Sequence, residues 1–465
     1  MDLWIHNKSF FRNIPSIFHF PPVPFAGFSI FHFGALSQRI NILLIGSGGR
    51  EHALAYKIKE SSLIKNLYIL PGNPGTKKLG ENISLDINDP EKLLSFCKEK
   101  EVELIIIGPE KPLVEGLGDF FRKNGIKVFG PDSKAAEIEA HKSFAKNFMR
   151  KYKIPTADYV EFESKEYAKA KKFLETAEYP VVIKADGLAA GKGVIICYDV
   201  RNALKTLDEI FIKKIFGAAG DKIVVEEFLE GEEASILAVT DGKEFICLPS
   251  AQDHKRIGNN DTGKNTGGMG AYSPAPVVTP KILKEVEEKI IIPTLKGLGK
   301  EGRTFSGCLY CGLMITKKGV KVVEFNCRFG DPETQAVLPV IKGDFLKLIY
   351  SAADGKLDKS SVKYSGGSAV CIVAASKGYP DEYSTGYEID GLDEFNNNKE
   401  ILVFHAGTKE KDGKVITSGG RVLGITSVFD QNNLKEAQKN AYDALKKINF
   451  KDIYYRTDIA SRALK

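Results

Sequence analysis

From position 40 onward the chain alternates short apolar runs with amphipathic stretches, the pattern of strands and helices in succession. Ile40-Asn-Ile-Leu-Leu-Ile-Gly46 is apolar almost throughout and predicts a buried strand over 41–45. It runs into Gly46-Ser-Gly-Gly-Arg50, after which a helix is expected over 51–60. Further strands are expected at 67–70, 104–107 and 127–129, with helices between them. Strands alternating with helices imply a parallel sheet whose strand-end loops form the site. A second α/β unit opens with a helix at His141-Lys-Ser-Phe144 that ends near 153, and strands follow at 180–184, 194–197 and 223–229. Apolar runs around Cys308-Leu-Tyr-Cys311 and over 320–323 also read as strands. After about 361, strands at 368–374, 401–405, 414–416 and 421–426 precede a helix over 433–447. The fold class is α/β with α+β elements. An N-terminal Rossmann-like parallel-sheet domain is expected at 40–141, a central unit at 142–360, and a small, mostly-β C-terminal domain at 361–465.

Residues 1–39 break the pattern. They hold eight phenylalanines, one acidic residue (Asp2) and prolines at 15, 21, 22 and 24. No apolar run in them approaches a membrane span, and they lack a clear signal-peptide layout or the arginines of a transit peptide. Three readings stay open for this extension: disorder, targeting to an organelle, or a reading frame that starts upstream of the true N-terminus near Ile40.

Composition narrows the partners. The net charge of +6 over 465 residues is mild, and the lysines are scattered among acids rather than gathered in a basic block. Nucleic acid and membrane are therefore not expected as partners, whereas phosphorylated small molecules are. Seven cysteines without regular spacing point to a reducing compartment and a cytoplasmic location. Nothing in the sequence demands an oligomer, so a monomer is expected.

The candidate chemistry lies in loops at strand ends. The loop Gly46-Ser-Gly-Gly-Arg50 resembles a dinucleotide fingerprint, but Glu51 stands where the third glycine belongs. What remains is a Gly-rich turn at a helix N-terminus beside Arg50, suited to a phosphate or carboxylate. Lys184 ends a strand, and Ala185-Asp-Gly-Leu-Ala-Ala-Gly-Lys-Gly193 reads as a flap over phosphates or, taken alone, as a surface hairpin. The strand 223–229 stops at Glu226 and Glu227; its edge beside Phe228 and Leu229 offers a purine backbone hydrogen bonds and an apolar slot, with Glu233 placed for a ribose. His254, in the long polar loop that follows, reads as a solvated loop residue. Glu324-Phe-Asn-Cys-Arg-Phe-Gly-Asp-Pro-Glu333 follows the apolar run 320–323. Strand alternation puts Glu324 and Asn326 on one face, and two hard oxygen ligands suit Mg²⁺ shared with phosphates. Arg328 shares that face if the strand continues. Glu333 has no evident role.

Six segments, taken in order, resemble the ATP-grasp ligases and within them the phosphoribosylamine–glycine ligase family. They are Gly46-Ser-Gly-Gly-Arg-Glu-His-Ala53, Gly108-Pro-Glu-Lys-Pro-Leu113, 183–193, Gln252-Asp-His-Lys-Arg256, 265–274 and 324–333. The resemblance runs from Ile40 to the C-terminus and makes 142–360 a two-lobed ATP-grasp domain with a mobile lid at 157–228. It implies ligation of glycine to 5-phosphoribosylamine at the expense of ATP, through glycyl phosphate. It also implies site roles. Lys142 and Lys184 contact the ATP phosphates, and Gly191 and Gly193 cover them. Glu226, Glu227, Phe228 and Leu229 frame adenine, and Glu233 takes the ribose. Glu324 and Asn326 hold Mg²⁺ or Mn²⁺. Arg328 neutralises charge on the reacting groups, and Asp331 orients an amine. Gly48, Gly49, Arg50, Glu110 and Arg421 hold the phosphoribosyl group, and Thr266, Gly267, Gly268 and Met269 border glycine. The alternatives are another ATP-grasp ligase or carboxylase of purine metabolism, and a non-catalytic nucleotide-binding homologue.

Overall fold

A computed structural model describes residues 39–189 and 191–464. The three readings of the N-terminal extension lie outside the described residues. The apolar run at the start forms β1 (Ile40–Gly46), buried along its whole length. It sits at the centre of a five-stranded parallel sheet with β2 (Ile64–Pro71), β3 (Glu81–Asn82), β4 (Val102–Ile107) and β5 (Lys127–Phe129), in the order β3-β2-β1-β4-β5. Burial on both faces is why β1 and β4 read as continuous apolar runs rather than alternating ones. Helix α1 (Gly49–Lys59) begins two residues before its predicted start, because Glu51 folds back to accept the Gly48 N–H at 2.7 Å and completes the first turn. Helices α2 (Ser133–Ala140) and α3 (Lys142–Lys151) lead out of this lobe.

The chain then forms a small lobe with its own core. Strands β6 (Tyr159–Glu163), β7 (Val181–Ala185), β8 (Val194–Cys197) and β9 (Lys222–Glu227) make an antiparallel sheet in the order β6-β9-β7-β8. The helices Tyr167–Thr176 and Val200–Phe211 bury Leu174, Leu207 and Ile210 against Ile183 and Ile223. Next come β10 (Glu232–Thr240), β11 (Phe245–Cys247), β12 (Gly307–Thr316) and β13 (Gly319–Asn326), an antiparallel sheet ordered β11-β10-β12-β13. Leu309 and Val322 of this sheet share one core with Leu43 and Ile105 of the first.

The last sheet is built on β14 (Ser368–Ser376), β15 (Ile401–His405) and β16 (Arg421–Phe429), with the helix Leu434–Leu445 on one face. Two short strands from much earlier in the chain join it. Gly270–Ser273 pairs with β14, and Gln252–Asp253 pairs with Gly270–Ser273. Strands of two and four residues are too short to show an alternation, so the sequence pattern did not reveal them. Their consequence is functional: the polar loop 252–273 is stitched to the C-terminal sheet. Arg456, whose side chain is fully buried, tightens the join through Asp458 at 2.7 Å and Asp261 at 3.0 Å.

Buried histidines line these seams. The His405 N–H donates to His52 Nδ1 at 2.8 Å, tying β15 to α1. The Ala460 N–H donates to His254 Nε2 at 3.0 Å, so His254 is a buried anchor of its loop and not the solvated residue expected. Burial pushes His405 down to about 4 and His254 to about 3, and lowers His52 as well. The folded state therefore binds fewer protons than the unfolded chain, whose histidines titrate near 6.5. Stability from these groups is complete above about pH 6.5 and is lost as pH falls toward 4. Lowering pH from 7 to 5 should cost about 2 kcal/mol per histidine, read as a falling urea midpoint; a midpoint flat over that window would contradict the assignment.

Candidate active site

The site forms where β13 stops. Residues Glu324 and Asn326 pair across to Gly312 and Tyr310 of β12, and the strand ends at Asn326 rather than continuing to Arg328. Among the described residues the Glu324 carboxylate has no ion pair. Burial raises its pKa, but Lys255, Lys184, Lys142 and Arg328 outweigh that and hold it below the usual range. A half-buried carboxylate that is ion-paired to none of the cations around it keeps its oxygens available to a metal ion. Asn326 Oδ1 lies beside it in sequence, 3.5 Å from Arg328 Nη2.

Arg328 reaches this face from the turn. Its guanidinium lies between Glu110 Oε2 at 3.2 Å and Glu139 Oε1 at 3.1 Å. Burial works against its charge, but Glu139 and Glu110 outweigh that and raise its pKa. Glu139 also accepts the Cys327 N–H at 2.6 Å, so this one acid of α2 fixes both the arginine and the backbone next to Asn326.

The lysines arrive from the other side. Lys184, at the end of β7, lies 2.9 Å from Glu226 Oε1 and donates to the Val323 carbonyl at 3.0 Å. Lys142, at the start of α3, donates to the Gly187 carbonyl at 3.3 Å. The cap of α3 comes from the flap: Asp186 Oδ1 accepts the Ser143 N–H at 2.6 Å. Gly191 adopts a φ of +74° near the Thr266 carbonyl, and the Gly193 carbonyl accepts the Ala185 N–H at 2.8 Å. The flap thus spans from α3 to the 265–266 loop.

The adenine and ribose candidates divide. The carboxylate of Glu226 is enclosed between Lys184 and Lys146, not open to a base. Strand β9 ends at Glu227, which is exposed and paired with Lys321, and Phe228 and Leu229 follow half-buried. Glu233 Oε2 pairs with Lys255 at 3.1 Å, and Lys255 reaches Asp253 Oδ1 at 2.7 Å. A small cleft lined by Glu233, Lys255, Gly312, Val323 and Glu324 opens here.

The Gly-rich turn lies beside the 328–335 turn. Arg50 pairs with Glu51 at 2.6 Å and donates to the Phe329 carbonyl at 3.3 Å. Glu51 fills the space a side chain at Gly46 or Gly108 would need. The position that excluded a dinucleotide fingerprint thus places a carboxylate on the Gly-rich turn itself. A Cβ on Gly48 would sit 3.4 Å from Asp331 Oδ2, and one on Gly49 would sit 2.5 Å from Gln335 Nε2. Asp331 accepts from Gln335 at 2.8 Å and pairs with Arg421 Nη2 at 3.3 Å. Burial raises the Asp331 carboxyl, but Arg421 and Arg50 overcome that and lower it. Arg421 donates to the Gly267 carbonyl at 2.6 Å, and Tyr379 accepts the Gly267 N–H at 2.9 Å. Thr266 Oγ1 accepts the Gly268 N–H at 2.9 Å. Met269 departs from its expected place. Its side chain is in the C-terminal core, and its N–H and carbonyl are bonded to His254 and Val373.

Three groups at the site escaped the sequence reading, Lys146, Glu139 and Gln335, and Lys255 entered it only within the segment 252–256. Only Lys146 had a local signal, its i,i+4 spacing from Lys142 on one helix face. Glu333 proves to be structural. Its Oε1 accepts from Tyr310 at 2.9 Å and from Ser235 at 3.1 Å beneath the turn.

A parallel-sheet lobe, a small antiparallel lobe and a body sheet enclosing an acid, an amide and several lysines form the ATP-grasp arrangement. Similarity to known proteins agrees. The N domain of phosphoribosylglycinamide synthetase matches residues 40–139, its ATP-grasp (A) domain 140–334 and its C domain 369–462. The phosphoribosylamine–glycine ligase of Caldanaerobacter subterraneus subsp. tengcongensis is 49% identical over 422 residues, 91% of this chain and 100% of that one. That of Clostridium acetobutylicum is 48% identical, covering 90% and 99%. The crystal structure of the Thermotoga maritima phosphoribosylamine–glycine ligase superposes with a TM-score of 0.79 at 36% identity, covering 90% and 100%. A biotin carboxylase from Campylobacter jejuni shares the fold at 16% identity, with a TM-score of 0.67. The chain belongs to the phosphoribosylglycinamide synthetase family.

Replacing Glu139 by leucine should leave Arg328 with one acid and the Cys327 N–H with none. The expected loss is about 3 kcal/mol in urea unfolding, since a buried pair is broken from one side. A loss below about 0.5 kcal/mol would show that Glu110 alone suffices.

Proposed function

We propose that this chain joins glycine to 5-phosphoribosylamine with ATP, giving glycinamide ribonucleotide, ADP and phosphate in purine biosynthesis. The observation that carries the reading is Glu324: a half-buried carboxylate without an ion pair among the described residues, two positions before Asn326 on the same strand and faced by Lys255, Lys184, Lys142 and Arg328. A carboxylate is a poor acyl donor until phosphorylated, and phosphoryl transfer needs positioning and charge neutralisation rather than a protein nucleophile. This site holds many charges of both signs. Glu324 and Asn326 fit Mg²⁺ or Mn²⁺. Mg²⁺ is ordinarily held by one or two protein oxygens together with substrate phosphates, which would complete the coordination here. When bound, the metal supplies Lewis-acid neutralisation of phosphate charge.

The other roles are proposed on the resemblance, with the residues' positions in support. Lys142 and Lys184 take the nucleotide phosphates, and Lys255 joins them from the opposite side of the cleft. The edge at 226–229 receives adenine through its backbone and Phe228, and Glu233 the ribose. The glycine carboxylate attacks the γ-phosphate, with Arg328 and Lys255 balancing charge. The 185–193 flap, with Gly191 and Gly193, excludes water from the glycyl phosphate. Thr266, Gly267 and Gly268 border glycine. The amine of phosphoribosylamine then attacks the acyl carbon and expels phosphate, with the ionised Asp331 orienting it. Gly48, Gly49, Arg50, Glu110 and Arg421 hold the phosphoribosyl group. The reading divides the chain into domains at 40–141, 142–360 with a lid at 157–228, and 361–465. It also includes a monomer, as expected from the sequence, and a cytoplasmic location, supported by seven free cysteines.

The deciding assay is ADP release that requires glycine and phosphoribosylamine generated in situ. Equal rates with bicarbonate or formate in place of glycine would reject the assignment. Glu324→Gln should keep its fold by circular dichroism and lose about a hundredfold or more in kcat; near-normal turnover at saturating Mg²⁺ would remove its metal role. Arg421→Ala should raise the phosphoribosylamine concentration needed for half-maximal rate and also lower kcat, because Arg421 pairs with Asp331 and donates to the Gly267 carbonyl; an unchanged half-maximal concentration would remove its substrate role.

A further inference from the structure

Lys146 lies one turn after Lys142 on α3, and its side chain is 2% exposed. Its Nζ is 3.0 Å from Glu226 Oε2 and 2.8 Å from Thr156 Oγ1, with the Ala157 carbonyl at 3.3 Å. Lys184 meets the other oxygen of the same carboxylate at 2.9 Å. Glu226 therefore binds two ammonium groups, one from α3 and one from β7 of the small lobe. Thr156 and Ala157 lie where the chain enters that lobe, and Glu226 lies where it leaves.

Two buried lysines against one buried carboxylate leave a positive charge unmatched. The remaining partners of Lys146 are a hydroxyl and a carbonyl that fix it to the linker. Among the described residues Lys184 has only the Val323 carbonyl besides Glu226, on the strand that carries Glu324. Lys184 is therefore the cation of this pair that can serve an anion, provided Glu226 stays neutralised from the other side. We propose that Lys146 is a positioning residue for the nucleotide: it satisfies Glu226 so that Lys184 can give its charge to the phosphates of a nucleoside di- or triphosphate. Without that second ammonium, Glu226 competes with the phosphates for Lys184. The inference rests on the nucleotide reading above and assigns Lys146 a part that reading leaves open.

The groups facing Lys146 are Glu226, Lys184, Glu227 and the Tyr159 ring at 5.6 Å. Burial lowers Lys146 to about 8, with Glu226 opposing and Lys184 adding to the shift. Raising pH through that value removes its charge and leaves Lys184 alone with Glu226.

The test is binding of ADP with Mg²⁺ to the full chain by titration calorimetry between pH 7.5 and 9.5. Wild-type affinity should fall about tenfold across the range. Lys146→Met should bind about tenfold more weakly at pH 7.5, show a smaller pH step, and keep its KM for glycine within about twofold. The idea is overturned if Lys146→Met binds ADP like wild type, or keeps the full pH step, or loses glycine and ADP affinity in parallel. Lys146→Gln, which keeps a hydrogen bond to Thr156, replaces it if the Met variant does not fold. Failure of wild-type protein to bind ADP would instead strike the nucleotide reading itself.

Discussion

The structure depends on keeping a group of buried charges in balance around the end of β13. Glu324 is half-buried, and a carboxylate partly withdrawn from water is tolerated only where cations or a metal offset the lost hydration. No single element supplies those cations. Lys142 comes from α3, Lys184 from β7, Lys255 from the loop stitched to the C-terminal sheet, and Arg328 from the turn after β13. Each is held in turn by its own acids or carbonyls: Arg328 by Glu110 and Glu139, Lys184 by Glu226 and Val323, Lys255 by Asp253 and Glu233, Lys142 by the Gly187 carbonyl. The balance is therefore a property of three lobes at once.

That dependence explains features remote from the chemistry. Arg456 is buried in the C-terminal lobe, yet it clamps the hairpin that precedes Thr266. His254 accepts a hydrogen bond from Ala460 and so anchors the stretch that carries Lys255 to the end of the chain. His52 and His405 join α1, which carries Arg50, to β15. These groups position the loops from behind, and they are neutral or internally paired so that they add no charge to the cleft.

Much of the site was legible because it sits at the ends of apolar strands. Lys184 follows 180–183 and Glu324 follows 320–323, and an apolar run that stops at a charge marks a strand emerging into a cleft. The Gly-rich turn after β1 was equally visible. Lys146 and Glu139 were not. Each lies on a helix where a charged residue is ordinary, and each gains meaning from a partner far along the chain. Met269 shows the reverse error: inside a polar, Gly-rich loop it read as a ligand contact, but burial decides where a methionine points, and here it points into the C-terminal core.

By itself the sequence determined the principal strands of the first lobe and their parallel sheet, the Gly-rich turn and the acid–amide pair at the end of β13, because these rest on periodicity and on neighbours within a few residues. Tertiary structure decided which charge meets which. Whether Glu226 faces a base or two lysines, whether Glu51 lies over the Gly-rich turn, and whether the 252–273 loop belongs to the body or the C-terminal sheet all depend on packing between distant segments. Coulomb interactions and hydrogen bonds act over a few ångströms in space, and a one-dimensional pattern carries no record of those distances.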